Sequence, residues 1–425
     1  MIQEGNFKLV NIAIGIGGTD YGFTINQLMS LKYTESIKSA SVRVEIQLTD
    51  TETGALSAVQ GMEPVYVEFE DHLENNFGTD LVVYDVQDRL VVDGKSKATL
   101  LCCSPDLINN AAAKISKRFG TGGGDTINNI VTDILENILT TSRELVSFAP
   151  TKNKFSFISC YWSPFTIIKW LATKAIPAEG GSGANASAGY AFFENARGYN
   201  FLAYDSFATK EYTKKMIVGY EEPEMGEPDK TIIPIMSMRV TSAADVLRGL
   251  NYGSYTSKFM TFDVKDMSYT EHNFNISKYY KDVPKMNGDV TLPKYFEKFE
   301  KATAPTRIMS KIMDTALFTE GTMTQDSTKQ VAQSALREKL FYSKEVEVEY
   351  VGDIDLFVGD TVELTVYKGK ARSLDGNNSG VYVVGQIERE FISSNDRMTT
   401  KATLYTDSPG NIEETSQTKT DETLK

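Results

Sequence analysis

The sequence predicts a β-rich α+β fold in which antiparallel strands outweigh helices. Residues 42–48 and 65–70 alternate apolar and polar side chains, which is the period of a strand with one face in water. Residues 127–139 instead repeat apolar side chains at helical spacing, with polar residues on the opposite side. A chain of 425 residues has the length for two to four domains with ample cores.

The N-terminal stretch is predicted to consist of strands and turns. Residues 81–86 and 98–102 continue the alternation of the first two strands. Residues 15–18 are rich in glycine, but a turn-and-strand pattern follows them. A dinucleotide-binding loop needs a helix at that place, so this function is excluded for residues 15–18.

Three helices are predicted next. Residues 104–105 open the first, Asp125 caps the second, and Ser163 with Pro164 begins the third. The apolar side of the first comprises Leu107, Ile108, Ala111, Ile115 and Phe119. The stripe of the second comprises Ile127, Ile130, Val131, Ile134, Leu135, Ile138 and Leu139. The face of the third comprises Phe165, Ile168, Leu171 and Ala172, followed by Ala175.

The remainder is again mostly strand. Residues 190–194 and 199–204 are aromatic-rich strands joined by a turn at residues 195–198. A Gly/Ala/Ser loop at 180–189 precedes them, and residues 220–229 form an acidic, proline-rich linker. A helix is predicted at 327–343. Further strands are predicted at 232–240, 255–269, 342–351, 360–367, 380–387 and 398–405.

Composition limits the function classes. The formal net charge is −13 and the pI is near 4.9, which argues against sequence-independent binding of nucleic acid through a Lys/Arg surface. The same acidity suits a surface that DNA slides past, although many soluble proteins are equally acidic. The sequence has no apolar run of about 18 residues for a membrane span, and its N-terminus does not have the pattern of a secretory signal.

Cysteine and histidine are too few for a metal site or a disulfide framework. The cysteines are Cys102, Cys103 and Cys160, and the histidines are His72 and His272. A zinc site needs four such ligands at tight spacing. We therefore expect the thiols to be core residues of a protein made in a reducing compartment, and we expect no metal and no cofactor.

Enzymatic interpretations of the sequence are weak, and no catalytic residue is predicted. Residues 120–125 could cradle a phosphate, but no Gly-Lys-Ser/Thr follows, and a flexible loop that ends in an aspartate cap explains the pattern. Glu194 is the best single carboxylate for glycosidase chemistry, but a strand-end carboxylate bonded to the turn at 195–198 explains it better. We expect His72 and His272 to be solvated loop residues. We expect Trp162 and Trp170 to be scaffold.

The order of these segments resembles the baseplate hub protein of contractile-tailed phages. In the middle of the chain an aromatic strand, Ser163-Pro164, a helix with Trp170, a Gly/Ala loop and the paired strands with Phe192-Phe193-Glu194-Asn195 follow one another. The segments that flank this block and extend the resemblance are 62–69, 83–86, 98–102, 114–119, 351–353, 356, 359–360, 379–384, 387 and 391. The specificity lies in the order, and the likeness covers most of residues 1–408 except 280–341.

The resemblance implies two antiparallel β-barrel tube domains per chain. Residues 1–104 would form the first barrel, which residues 205–235 could complete. Residues 236–275 with 341–408 would form the second barrel, related to the first despite weak sequence likeness. The remaining parts would be a mixed helical domain with a β-hairpin at 105–204, an insertion at 276–340 and a disordered tail at 409–425.

The resemblance also implies an assembly and a set of partners. A homotrimer would present six tube domains and so join the threefold central spike protein to the sixfold tail tube, whose first tail-tube ring protein it would contact. Baseplate wedge proteins and the tape measure protein would be further partners, and DNA would pass the lumen without specific binding. The protein would lie in the virion tail baseplate after assembly in the host cytoplasm, and would act in host cell penetration and genome ejection without membrane insertion.

Two alternatives remain open from the sequence. A cell-wall hydrolase would need an added catalytic domain, and the hub interpretation already uses nearly all of the length. A receptor-binding tail protein would show a repetitive or lectin-like C-terminus, and residues 408–425 show neither pattern.

Overall fold

The computed structural model describes most of the chain. The described ranges are 8–71, 75–93, 95–120, 124–178, 188–219, 231–242, 246–253, 256–275, 284–287, 305–313, 325–368, 373–392 and 397–408. The expected tail at 409–425, the linker at 220–229 and His72 lie outside these residues, as does much of the insertion at 276–340. The described chain is β-rich with large, mainly antiparallel sheets, as predicted.

The first half of the main sheet contains seven strands. They are β1 (Lys8–Ile16), β2 (Thr19–Phe23), β3 (Leu28–Ser36), β4 (Arg43–Asp50), β5 (Pro64–Glu70), β6 (Asn76–Val92) and β7 (Lys95–Cys103), with the short helix α1 (Ala55–Ala58) between β4 and β5. The order is β3-β4-β7-β6-β5-β1-β2, and every neighbouring pair is antiparallel. Alternate residues of these strands, such as Val44, Ile46 and Leu48, are buried in one shared core.

The mixed segment, residues 105–207, follows the first half. Its helices are α2 (Pro105–Ala112), α3 (Ile127–Asp133, continued by a π-helical turn at Ile134–Ile138), α4 (Pro164–Ala172) and α5 (Tyr204–Phe207). Its strands are β8 (Arg118–Phe119), β9 (Asp125–Thr126), β10 (Leu145–Phe148), β11 (Lys154–Phe155), β12 (Phe157–Ile158), β13 (Tyr190–Asn195) and β14 (Gly198–Ala203). The predicted stripes of α3 and α4 line one core with the β13–β14 hairpin.

Two helix predictions need correction. The helix that opens at Ser104-Pro105 ends at Ala112, and Ile115 and Phe119 instead lie in short strand pairings with Trp162 and β12. Asp125 does not cap α3, because Asp125 and Thr126 pair as a strand with β11 and the cap position is Thr126. In both cases a long-range pairing overrides the local helical pattern.

The second half begins with β15 (Lys214–Val218). The strands that follow are β16 (Ile232–Ile235), β17 (Ser237–Ser242), β18 (Thr256–Asp263), β19 (Ser268–Asn275), β20 (Arg307–Met313), β21 (Lys344–Val351), β22 (Thr361–Lys368), β23 (Ser373–Leu374), β24 (Gly380–Ile392) and β25 (Arg397–Thr406). The helices are α6 (Val246–Tyr252) and α7 (Gln325–Phe341), the latter near its predicted place. The main strands run in the order β16-β15-β22-β24-β25-β21-β17 around a second core.

Two expected strand memberships differ from the structure. Residues 205–235 do not complete the first barrel, because β15 lies parallel to both β16 and β22 in the second half. Residues 256–275 do not join the second barrel either. Both edges of β18 are taken, by β19 and β20, so these three strands form a separate sheet.

The two halves repeat one strand order. β3-β4-β7-β6-β5 in the first half corresponds to β17-β21-β25-β24-β22 in the second. Bulges occur at matching places, at Tyr84 in β6 and at Gly385 in β24. The flanking strands differ, because β1 is antiparallel to β5 whereas β15 is parallel to β22. The expected relation between the two regions therefore holds for five strands, and among the described strands neither half closes into a barrel.

A matching arginine supports the correspondence of the halves. Arg89, in a second irregularity of β6 between Gln87 and Leu90, donates to the carbonyl oxygen of Val59. Arg389 in β24 donates to the carbonyl oxygen of Leu356. Val59 lies three residues before Met62, whose N–H donates to Val83 O. Leu356 lies three residues before Gly359, whose N–H donates to Val384 O. Val83 and Val384 each directly precede the bulge of their strand.

Candidate functional site

One polar feature of the described chain is a continuous sheet face. The C-terminal part of β24 pairs antiparallel with β3, from Gln386 opposite Ser36 to Ile392 opposite Ser30. This contact joins the two halves edge to edge, so that β17, β21, β25, β24, β3, β4, β7 and β6 follow one another. We call the face of these eight strands that points away from the two cores the polar wall.

Register fixes which residues belong to the polar wall, because directly paired residues share a face. Its acidic residues are Glu45, Asp80, Asp85, Glu345, Glu347, Glu349, Glu388 and Glu390. Its basic residues are Lys32, Arg43, Lys95, Lys97, Arg239 and Lys401. Most of the other positions are Ser, Thr or Gln. Among the described positions of the wall, acidic residues therefore outnumber basic ones.

Cations of the polar wall face carboxylates on neighbouring strands. Lys32 Nζ lies 2.8 Å from Glu388 Oε1, across the seam between the halves. This hydrogen bond raises the pKa of Lys32 above its ordinary value. Lys401 is paired with Glu349 on one side and with Glu388 on the other. Arg239 is paired with Glu347 in the same way, whereas Arg43, Lys95 and Lys97 have no acidic residue directly opposite them in the register.

Glu194 does not have the role that the sequence suggested. Its carboxylate is fully buried and bonds to no part of the 195–198 turn. Oε1 lies 2.7 Å from Arg143 Nε, and Oε2 accepts from Ser104 Oγ at 2.5 Å and from Val42 N at 3.0 Å. Burial raises the pKa of Glu194, and Arg143 opposes that shift. Because both oxygens are engaged inside the protein, Glu194 is poorly placed for acid–base chemistry on a substrate.

A second buried carboxylate, Glu35, was missed by the sequence analysis. Its Oε2 accepts from Ala196 N at 2.9 Å and its Oε1 from Val358 N at 3.1 Å. Burial is the main cause that raises the pKa of Glu35, while Arg389 opposes it. In β3, Leu31, Tyr33 and Glu35 occupy successive core-facing positions. An acidic residue at a core-facing position of an alternating strand was the sequence signal that could have identified Glu35.

Glu35 and Glu194 belong to a junction cluster with Arg143, Asn195, Arg197 and Asp360. Asn195, at the tip of the β13–β14 hairpin, makes the turn contacts itself and donates to Val358 O at 2.9 Å. Arg197 reaches Asp360 at 3.2 Å. The cluster thus ties the mixed segment to both halves at the seam where β3 meets β24.

The glycine loop offers no described anion site. Residues 121–123 lie outside the described chain. At the start of α3 the N–H of Asn128 already donates to Thr151 Oγ1 at 3.1 Å. Within the described ranges, no group of three or more His, Cys, Asp or Glu side chains is arranged to hold a metal ion.

The tryptophans lie in an aromatic cluster of the mixed segment. The Trp170 ring centroid is 5.5 Å from those of Phe155 and Trp162, and 5.0 Å from that of Phe157. Lys174 Nζ lies 4.4 Å from the Trp170 centroid. These rings pack against one another across the face of α4, as a scaffold does.

The predictions for histidine and cysteine hold in part. His272 lies within β19 instead of a loop, and it is half-buried, with a pKa lowered first by burial. Cys102 and Cys103 are buried and unpaired, and burial raises the pKa of Cys103 to about 11. Cys160 is exposed, so the prediction that it is a core residue was wrong.

Comparison with solved structures identifies proteins that share this fold. A tail protein from Neisseria meningitidis MC58 superposes with a TM-score of 0.57 at 8% identity, over 95% of this chain and 97% of that one. The chain shares the fold of phage tail proteins. The 43 kDa tail protein of prophage MuSo2 from Shewanella oneidensis matches with a TM-score of 0.53 at 11% identity, over 93% and 97% of the two chains.

A third match is to one chain of a protein complex. A chain of the lidless PdpA–VgrG complex superposes with a TM-score of 0.50 at 10% identity, over 97% of this chain and 67% of that one. No protein-family model and no curated protein matches the sequence. At these identities the likeness establishes the fold. Among the described residues, no helix is both long enough and apolar enough to cross a membrane.

Proposed function

We propose that the chain is the hub of a contractile-tail baseplate, with a structural and not a catalytic role. The observation that carries this proposal is the pairing of β3 with β24, which joins two corresponding five-strand units edge to edge and so makes the polar wall continuous. One chain then offers the same unit twice, and a homotrimer offers it six times. Such a ring matches a threefold central spike on one face and a sixfold tail tube on the other.

In this proposal each five-strand unit is the inner part of one tube domain. The first tube domain comprises residues 1–104, and the second is built from β15–β17 and residues 341–408. The junction cluster holds the mixed segment against the seam. The separate β18–β20 sheet belongs with the insertion.

The polar wall is proposed to line the lumen through which DNA leaves the particle. Phosphate is held by uncompensated Lys and Arg, and here Lys32 and Lys401 face carboxylates on neighbouring strands. A wall on which acidic residues outnumber basic ones lets DNA pass without specific binding. The proposed partners are the spike protein, the first tail-tube ring protein, wedge proteins and the tape measure protein, in a virion tail assembled in the host cytoplasm.

The mass of the assembly tests this function. Light scattering of the purified protein, alone and with a candidate spike protein, is expected to show three hub chains per spike trimer. A complex of one hub chain with one spike chain would contradict the proposal. A zymogram that shows clearing of peptidoglycan would favour the hydrolase alternative, and tight binding of the isolated chain to host cells would favour the receptor-binding alternative.

A further inference from the structure

A row of buried polar side chains crosses four strands at the seam between the halves. The register places Tyr33 of β3 beside Arg389 of β24, Arg389 beside Thr400 of β25, and Thr400 beside Tyr350 of β21. Directly paired residues share a face, and none of these four is more than 1% exposed. A buried cation costs free energy unless it is paired and hydrogen-bonded, so the contacts of Arg389 decide whether this row is complete.

The Arg389 guanidinium bonds to the protein through only one of its three nitrogens. Nη2 donates to the carbonyl oxygens of Ile354, at 3.1 Å, and Leu356. Nε and Nη1 are buried as well, and within the described ranges no protein atom accepts a hydrogen bond from either. The hydrogens on these two nitrogens therefore lie inside the protein without a protein acceptor.

The groups around Arg389 offset its charge but do not complete its hydrogen bonds. Its Cζ lies 5.5 Å from the ring centroids of Tyr33 and Phe357, so aromatic rings flank the cation. Glu35 acts on Arg389 through its charge, but its oxygens accept from the Tyr33 hydroxyl at 3.1 Å and from two backbone N–H groups. A hydrogen bond that is left unmade inside a protein costs free energy even where the charge is offset.

The hydroxyl of Tyr350 is a further donor in the same row. Its oxygen is buried and has no hydrogen-bond partner in the part of the chain that the structure describes. Burial is the main cause that raises the pKa of Tyr350, and among the charges that act on this pKa that of Arg389 has the largest effect. The hydroxyl therefore keeps its proton, as the guanidinium does. Both side chains thus present hydrogens that need an acceptor.

We propose that this row binds a small hydrogen-bond acceptor, a chloride ion or water, between Arg389 and Tyr350. The unused groups of both residues are donors, and nearly all buried donors in proteins are bonded to protein atoms, ordered water or an ion. The acceptor links β24 to β21 across β25, close to the seam with β3. The inference goes beyond the hub function and does not depend on it.

A crystal structure of the protein soaked in sodium bromide separates the two acceptors, because bromide replaces chloride and scatters X-rays anomalously. We expect a bound species within about 3.5 Å of Arg389 Nε or Nη1. An anomalous peak there identifies a halide, and ordinary density without an anomalous peak identifies water. No density at these nitrogens, or protein oxygens bonded to both of them, overturns the proposal.

Thermal unfolding tests the same site in solution. If the acceptor is chloride, the unfolding midpoint is expected to be higher in sodium chloride than in sodium gluconate at equal ionic strength. Tyr350→Phe, which removes one donor, should reduce this difference by about half or more. Tyr382→Phe is the matched control, because Tyr382 is equally buried but already donates to Asn378 O at 2.9 Å. A difference that both variants leave unchanged overturns chloride as the acceptor, and equal midpoints of the parent in both salts support water.

Discussion

Arg143 and Glu194 form an ion pair 2.7 Å long in the interior, between the loop before β10 and the end of β13. The remaining Glu194 oxygen binds Ser104 and the backbone of Val42, which belong to the first half. One carboxylate therefore holds the mixed segment onto the strand that leads into the polar wall. Glu194 therefore has a structural role, although the sequence analysis identified it as the best single candidate for a catalytic acid.

Glu194→Ala should be strongly destabilising. Removal of one partner leaves Arg143 buried and uncompensated, so we expect a loss of about 3–5 kcal/mol in the free energy of unfolding. Urea denaturation would measure it. Asp133→Ala, which breaks the exposed Lys117–Asp133 pair of 3.0 Å, is the control and should cost no more than about 1 kcal/mol. Equal effects of the two variants would contradict the structural role of Glu194.

Asp50 should contribute a pH-dependent part of the stability. Burial alone would raise its pKa, but backbone hydrogen bonds from Thr53, Leu56 and Glu52 lower the pKa of Asp50 to about 2. A carboxyl whose pKa is depressed on folding stabilises the fold above its unfolded pKa and loses that contribution as pH falls through the folded one.

The variant Asp50→Asn should therefore lose about 2 kcal/mol at neutral pH. The difference from the parent should shrink as pH falls from about 4 towards about 2. Thermal unfolding at several pH values would measure this trend. A difference that stays constant over that range would show that the side chain acts through its shape and not its charge.

Gly385 should tolerate no side chain. A Cβ there would lie 2.1 Å from the ring of Tyr405. Gly385→Ala should cost about 1–3 kcal/mol, and less in a Tyr405→Ala background where the ring is gone. Gly22→Ala, which meets no atom within 4 Å, is the control for the change of residue type. Additive effects of the Gly385 and Tyr405 substitutions in chemical denaturation would rule out the clash.

Trp170→Ala should lower stability without removing a ligand. The ring is half-buried among Phe155, Phe157 and Trp162, so we expect a loss of about 2–4 kcal/mol, near the lower end for large-to-small core changes. Ile158→Ala, on the neighbouring strand but exposed, should be nearly neutral. A Trp170→Ala protein that unfolds like the parent would contradict the scaffold role.

The excess of acidic over basic residues on the polar wall predicts whether the protein binds DNA. The parent should not retard duplex DNA at physiological salt. Glu347→Lys/Glu349→Lys leaves the wall with a net positive charge and should cause retardation that weakens steeply with added salt. Glu136→Lys/Glu144→Lys changes the net charge equally at exposed sites outside the wall. Equal retardation by both double variants would mean that the wall has no special access to DNA.

Much of the secondary structure could be predicted because alternation is a local signal. Residues 42–48 and 65–70, and the strands near 380–387 and 398–405, lie close to their predicted positions. The stripes of α3 and α4 are buried as predicted. The failures, Ile115, Phe119 and Asp125, are residues whose strand partners lie some 30 to 50 positions away, and no local period reveals such partners.

By itself, the sequence determined a β-rich chain with polar and apolar faces on its strands. The reason is that the free energy of transferring a side chain from water depends mainly on that side chain, and alternation along a strand sorts side chains onto two faces. It also showed an order of segments typical of phage tail hubs. Only the tertiary structure decided that β24 pairs with β3, that β15 joins β22, and that Glu194 is held by Arg143. Backbone hydrogen bonds are the same for every sequence, so the choice of partner edge depends on how whole faces fit together in three dimensions.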